Sequence, residues 1–327
     1  MTSRDVAAHA GVSQATVSRV MGQKPGVTTA TVEKVLDAAR KVGYVPNGAA
    51  RTLKTGLSGN IGVVVQDLSN PYYPELLEAL DAEARLKQVR LVVWLSGKRA
   101  NPAAIEAIRS GSIDGLLFTT ATQSSEELAE AIQGNRPVVL VNRRISNLPF
   151  DQIATDNMAG GRLVASHFLS RGHQHIGFVG GPLDASTTVD RLAGFAARLL
   201  EEGQVLPQDL IVHTEYSHRA GFEAFGELIK ADKAITAVFC ANDLLATGVI
   251  DAHREFSKGK PRSLAVVGFD NVSLSEWSTY SLTTVRQDSS SMARWAIRRI
   301  LMRIQDPTVL AIQKLLPPEL IIRSSSP

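Results

Sequence analysis

Gly11-Val12-Ser13-Gln14-Ala15-Thr16-Val17-Ser18-Arg19-Val20 sets the organisation of the amino-terminal part of the chain. Around it, apolar positions recur at spacings of three and four: Val6 and Ala10, then Val17, Val20 and Met21, then Val32, Val35 and Leu36. That period predicts three short amphipathic helices. Gly11 supplies a tight turn and Ser13 a cap for the second helix, Thr28 or Thr29 can cap the third, and Gly43 can end it. Two short helices joined by a glycine-containing turn let the second lie in a DNA major groove.

Beyond Pro46 comes Asn47-Gly48-Ala49-Ala50-Arg51-Thr52-Leu53-Lys54-Thr55-Gly56, helix-capable and followed by the polar Leu57-Ser58-Gly59-Asn60. Isolated helices shorter than about 12 residues are marginal in water, and Gly48 costs up to about 1 kcal/mol relative to alanine. The stretch is therefore expected to be a linker, helical only when something packs on it. Charge divides at the same place. Residues 1–58 hold eight Lys or Arg against three acids, which is +5 out of a net +3, so the remainder carries −2. A basic head on a near-neutral body implies that the head alone meets a polyanion.

From Ile61 onward, apolar runs alternate with amphipathic stretches: Ile61 to Val65, Leu91 to Trp94, Leu116 to Thr119, Val138 to Val141, Ile176 to Val179, Ala237 to Cys240 and Leu264 to Phe269. Fully apolar strands alternating with helices imply parallel sheets covered on both faces. A pattern of this length reads as two doubly wound α/β lobes, with ligands beyond the carboxyl ends of the strands.

The 327 residues suffice for about two domains at roughly 150 residues each, and 44% hydrophobic with 20% charged residues is a globular composition. No apolar run approaches the roughly 18 residues of a membrane helix. The charged start Met1-Thr2-Ser3-Arg4-Asp5 lacks the apolar core of an export signal, so a cytoplasmic location is expected. The single Cys240 forbids a disulfide within the chain and reads as core packing. His167, His173 and His175 lack the cysteine or clustered carboxylates that would complete a metal site, so no metal and no cofactor are expected. Phosphate-loop, dinucleotide, nucleophile-elbow and zinc-protease motifs are absent from the sequence, and nothing positive points to an enzyme.

Nine fragments, in order, carry a resemblance over nearly the full length: V-S-Q-A-T-V-S-R-V (Val12–Val20), G-Y-V-P-N-G-A-A-R-T-L (Gly43–Leu53), S-N-P-Y-Y (Ser69–Tyr73), G-G-P-L (Gly180–Leu183), R-L-A-G-F (Arg191–Phe195), A-N-D (Ala241–Asp243), V-G-F-D-N-V (Val267–Val272), L-T-T-V-R-Q (Leu282–Gln287) and L-P-P-E-L (Leu316–Leu320). The chain resembles the LacI/GalR family of transcription regulators. The resemblance implies a helix-turn-helix domain at 1–46, a hinge helix at 47–58, and a two-lobed, periplasmic-binding-protein-like effector-binding and dimerisation domain at 59–327. Lobe 1 is expected at about 59–155 and 288–314, lobe 2 at about 156–287 and 315–327.

By the same resemblance Gln14, Ala15 and Arg19 read bases. Glutamine can bond adenine, arginine can fork onto guanine, and alanine offers a methyl contact. Ser13, Thr16 and Ser18 suit phosphates, which fix register. Leu53 matches a leucine that family members wedge into the minor groove, with Asn47, Ala50 and Lys54 along the same face. Ser3 departs from the hydrophobic residue relatives carry there, and is expected to loosen the first helix.

In the body, Tyr72 and Tyr73 match aromatic positions, and Arg191 and Asp270 match polar ligand contacts. Asn142, Arg143, Asn242 and Gln287 are placed around the same cleft, with Thr187, Tyr216 and Trp277 as further candidates. An aromatic face suits a sugar or a base, while Arg and Asp suit its polar rim. A sugar or sugar derivative is the expected effector, with Arg143 and Arg191 leaving room for an acidic one and a nucleobase stacked on Tyr72 as the alternative.

The implied protein is a repressor, a homodimer on a pseudo-palindromic double-stranded DNA operator, with no membrane partner. An exported solute receptor would instead show an export signal and no basic head. An enzyme would need poised carboxylates or a nucleophile with its base.

Overall fold

The computed structural model describes residues 1–22, 25–44, 56–66, 68–96, 102–122, 125–133, 136–145, 148, 150–257 and 263–327. It divides into two compact units, Met1–Ser58 and Gly59–Pro327.

In the first unit the expected helices are α1 (Ser3–Ala10), α2 (Gln14–Met21) and α3 (Thr29–Lys41). Each start is capped. Thr2 and Asp5 form a reciprocal capping box, Ser13 accepts from the Thr16 amide, and Thr28 accepts from the Thr31 amide. The Thr2–Asp5 box holds the start of α1, where Ser3 was expected to loosen it. Gly11 takes the left-handed φ of 57° that ends α1, a conformation costly for a residue with a Cβ. Val6, Ala10, Val17, Val20, Val35, Ala38 and Ala39 make the core. Leu36, expected inside, is 44% exposed, and the small side chains of Ala38 and Ala39 take the buried face of α3.

In the second unit two lobes repeat one architecture. Lobe 1 contains β1 (Asn60–Val65), α4 (Tyr72–Leu86), β2 (Arg90–Leu95), α5 (Pro102–Arg109), β3 (Gly115–Phe118), α6 (Glu126–Gln133), β4 (Val138–Val141) and β5 (Asp151–Thr155). The chain then crosses to lobe 2 for α7 (Asn157–Ser170), β6 (Ile176–Gly180), α8 (Ser186–Glu201), β7 (Ile211–His213), α9 (His218–Ala231), β8 (Ala237–Cys240), α10 (Asp243–Phe256), β9 (Ala265–Asp270) and β10 (Thr283–Arg286). It returns for α11 (Ser289–Gln305) and β11 (Gln313–Leu316) in lobe 1, and ends through β12 (Glu319–Ile321) in lobe 2. The sheets run β11-β5-β4-β3-β1-β2 and β12-β10-β9-β8-β6-β7. Among the described residues, only β10 with β12 is antiparallel.

Each predicted apolar run became a strand, because residues buried on both faces need β-branched or apolar side chains throughout. The exception in burial is β2, an edge strand with Val93 and Leu95 nearly half exposed. Strands β5, β7, β10, β11 and β12 carry no continuous apolar run and were not expected. Leu315 and Leu316 pair with Ala154 and Thr155 and so belong to lobe 1, slightly past the expected crossing.

Helices α7 and α8 touch backbone to backbone: a Cβ on Gly194 would lie 2.0 Å from the Met158 carbonyl oxygen, and one on Gly161 would lie 2.2 Å from that of Arg191. No side-chain movement relieves a clash with backbone. Gly194→Ala should therefore destabilise the fold by about 1–3 kcal/mol through overpacking, measured by urea unfolding. An unchanged midpoint would show that the helix pair can part freely.

Candidate functional site

On α2, Val17 and Val20 are buried and turn Gln14, Ala15, Ser18 and Arg19 outward, with Thr16 half-buried and Ser13 exposed. Two of these side chains have local work. Ser13 Oγ caps α2 and lies 2.9 Å from Thr16 Oγ1, and Gln14 Nε2 donates to Ser3 Oγ at 2.8 Å. Ser3 thus orients the glutamine amide. Among the described residues no carboxylate pairs with Arg19, whose guanidinium is open to a base or phosphate. The linker positions Asn47, Ala50, Leu53 and Lys54 lie outside the described residues.

The larger site lies where the carboxyl ends of the two sheets face each other. Its centre is Arg191, on the face of α8 that Gly161 and Gly194 bring against α7. Only 3% of it is exposed. Its Nε donates to Asn157 Oδ1 at 2.8 Å, its Nη1 donates to the Ala241 carbonyl at the end of β8, and its Nη2 lies 3.6 Å from Asp270 Oδ1. The guanidinium carbon stands 3.6 Å from the centre of the Phe269 ring, a cation–π contact.

Asp270 ends β9 with a φ of 121°, strained for a residue with a Cβ and held by its surroundings. Gln287 Nε2 donates to Asp270 Oδ1 at 2.7 Å, and Thr155 Oγ1 donates to Gln287 Oε1 at 2.7 Å. Both ends of the Gln287 amide are therefore committed, and Gln287 positions Asp270 across two of the lobe crossings. Burial pushes the Asp270 carboxyl up to about 7, against the pull of Arg191 and of the Gln287 hydrogen bond. Beside it, burial and the Asp270 charge hold Asp243 well above the usual carboxylate range, while Thr284 Oγ1 and the Val272 amide donate to it.

Among the described residues, four buried polar atoms just past strand ends have no protein partner: Asn142 Oδ1, Arg143 Nε and Arg144 Nε after β4, and Asn242 Nδ2 after β8. Asn142 sits at a φ of 73°, and Asn242 Oδ1 caps α10 by accepting from the Leu245 amide at 2.9 Å. Buried polar groups are nearly always hydrogen-bonded, so these are candidates for contact with a polar ligand or water.

The aromatic candidates divide. Tyr72 is buried in lobe 1, its hydroxyl donating to Met292 Sδ at 3.6 Å, and it feels the Asp270 and Arg191 charges. Tyr73 stands edge-on to it, 5.5 Å between ring centres, and feels Arg143, Tyr216 and Asp270 around its hydroxyl. Burial pushes both phenols up. Tyr216 bonds Thr188 Oγ1 at 2.6 Å and Thr187 Oγ1 at 3.3 Å. Trp277 is 61% exposed.

Two bridges between the lobes were not read from sequence. Arg144 Nη2 lies 3.0 Å from Asp190 Oδ2 while its amide donates to Ser186 Oγ at 3.1 Å, and the Ser273 amide donates to Glu75 Oε1 at 2.8 Å. Asn157, which orients Arg191, was also missed. Its one signal is its place directly after the Asp156 cap of α7. The histidines have structural partners: His167 bonds Ser326, His173 bonds Thr236, and His175 bonds Asp232.

An exposed polar helix in a small capped bundle, followed by a two-lobed body with a polar cleft, defines the class of ligand-responsive DNA-binding regulators. Residues 2–47 match the lacI family of bacterial regulatory proteins, and residues 165–326 match the periplasmic binding protein-like domain. The HTH-type transcriptional repressor PurR of Histophilus somni (strain 2336) is 31% identical over 334 residues, covering 99% of this chain and 98% of the relative. A solved structure of the Lac repressor dimer bound to operator and the anti-inducer ONPF aligns with a TM-score of 0.84 at 27% identity, covering 100% of this chain and 99% of that one. A complex of the transcriptional regulator CelR with cellobiose aligns with a TM-score of 0.75 at 26% identity, covering 99% of both chains. The chain belongs to the LacI family.

The raised carboxyl of Asp270 has a consequence for stability. Its folded value of about 7 lies above the ordinary 3.8, so between those limits the fold holds a proton that the unfolded chain releases, and Asp270 makes the fold progressively less stable as pH rises. Asp270→Asn should remove that slope, so urea unfolding should favour the variant more at about pH 7.5 than at about pH 4.5. A constant difference between variant and parent would mean that Asp270 titrates normally.

Proposed function

We propose that the chain is a transcriptional repressor that binds a pseudo-palindromic operator as a homodimer, and that a small carbohydrate-like effector in the cleft sets its DNA affinity. It works in the cytoplasm and by binding rather than by turnover. The observation that carries the DNA reading is the outward face of α2, where Gln14, Ala15 and Arg19 project from a helix anchored by Val17 and Val20.

One such head makes too few contacts for useful specificity, whereas two on a symmetric dimer read two half-sites at a fixed spacing. Arg19 and Gln14 read base edges; Ser13, Thr16 and Ser18 contact phosphates. Asn47, Ala50, Leu53 and Lys54 extend the contact into the minor groove, with Leu53 as the wedge.

The unpartnered Asn142, Arg143 and Asn242 groups, with Arg191 and Asp270 behind them, hold the effector, while Tyr73, Thr187 and Tyr216 shape its other side. Gln287 keeps Asp270 in place. A sugar derivative is favoured over a nucleobase because the groups without a protein partner, on Asn142, Arg143 and Asn242, suit hydroxyl groups. Effector binding changes how the lobes close, and DNA affinity and effector affinity then shift each other by the same coupling free energy, typically about 1–3 kcal/mol.

Two variants test the halves separately, on an operator selected from random duplexes. Arg19→Ala should cost about 1–3 kcal/mol on that operator and relax one base preference, with a much smaller loss on bulk DNA. Equal losses on both would contradict base reading. Asp270→Ala should bind operator normally yet no longer respond to an effector that shifts the parent protein, as measured by fluorescence anisotropy. A normal response would remove Asp270 from the site.

A further inference from the structure

The cleft holds three arginines, and only two have an acid. Arg191 faces Asp270 at 3.6 Å and Arg144 faces Asp190 at 3.0 Å. Arg143 is 5% exposed, yet among the described residues no carboxylate lies within ion-pair distance of it. Its Nη1 donates to the Thr120 carbonyl at 2.9 Å, its guanidinium also bonds the Tyr73 hydroxyl, and its Nε is buried without a partner. Nearby acids are already engaged: Asp270 by Gln287 and Arg191, and Glu75 by the Ser273 amide.

A guanidinium taken out of water without a counter-ion is costly, and proteins normally pair it. Here the residue beside it is Asn142, an amide where a carboxylate would have balanced the charge, and the Asn142 Oδ1 is itself unpartnered. With Nη1 committed, the remaining edge of the guanidinium carries the Nε donor, the side that takes a planar carboxylate in fork geometry. Arg143 is thus one guanidinium without a carboxylate of its own. That matches a monoanion better than a phosphate ester, which brings nearly two charges and three acceptor oxygens.

We infer that the effector of this cleft is a sugar acid, its carboxylate seated on the Arg143 guanidinium edge and its hydroxyls on Asn142 and Asn242. The inference rests on the cleft being the effector site. It goes further by making the ligand's charge, rather than its ring alone, the basis of selection. A neutral hexose would leave Arg143 uncompensated, and the same sugar oxidised to a carboxylate supplies the missing counter-ion.

The test is isothermal titration of the full chain with matched sets: glucose, glucuronate, gluconate and glucose 6-phosphate, and the same four forms of galactose. At least one carboxylate should bind ten-fold or more tightly than its neutral parent. Arg143→Gln should abolish that preference, weakening the carboxylate ten-fold or more beyond any loss on its neutral parent, and Arg143→Lys, which keeps the charge and loses the fork, should retain part of it. Thermal melts of both variants check the fold, and the lysine variant carries the test if the glutamine variant unfolds.

Neutral sugars that bind as tightly as their acids and shift operator affinity would overturn the inference while leaving the cleft reading intact. Preference for the phosphate esters would overturn the carboxylate assignment. If no member of either set binds, the carbohydrate reading of the cleft fails, and this inference with it.

Discussion

A buried guanidinium must be met on every side, and at Arg191 that requirement ties the cleft together. Its partners come from the start of α7, the end of β8 and the end of β9, so none of these elements can shift without breaking a hydrogen bond or the Phe269 contact. Asp270, which faces Arg191, is held by Gln287, and Gln287 is held by Thr155 of lobe 1. The chain of contacts therefore runs from the middle of lobe 2 across two of the three crossings. Any ligand that touches Asp270 or Arg191 acts directly on the segments about which the lobes turn, which gives the proposed coupling a physical route.

The glycines of α7 and α8 make this arrangement possible. Without them the helices would stand apart by the width of a side chain, and Arg191 would not reach Asn157. The same device recurs between α9 and α10, where a Cβ on Gly248 would lie 2.0 Å from the His218 carbonyl oxygen. Lobe 2 is thus two close helix pairs on a sheet packed with Phe168, Phe178, Phe195 and Phe239. The amino-terminal unit has no such reserve. Its core is a few valines and alanines, and satisfied helix starts contribute a larger share of its stability.

What the sequence discloses follows from how burial is satisfied. Runs such as Val138–Val141 and Ala237–Cys240 are legible because both faces are apolar. Strand β5 is equally buried but carries Asp151, Gln152 and Thr155, and it escaped notice because their partners lie outside the strand: Arg299 and Arg303 for Asp151, the Ile145 backbone for Gln152, Gln287 for Thr155. The site shows the same division. Asp270 could be named from the family motif it matches, and Asn142 and Asn242 because they directly follow recognisable strands. Asn157, and the Arg144–Asp190 bridge, depend on contacts between distant segments that no local pattern encodes. Trp277 shows the converse, an aromatic residue in a suggestive place that the structure leaves 61% exposed.

The three crossings between lobes also order events during synthesis. The core under lobe 1 joins Ile61, Leu76 and Leu80 to Met292, Ile297 and Ile300, and its edge strand β11 comes later still. Lobe 2 lies almost wholly between those two groups. At the usual rate of about 5–20 residues per second, the first half of lobe 1 waits on the order of 10–50 s for its missing helix, while lobe 2 can already collapse around its phenylalanines. A nascent chain of this design carries an unfinished apolar sheet through most of its translation, which makes the first lobe to be made the last to be completed and the natural client of chaperones at the ribosome.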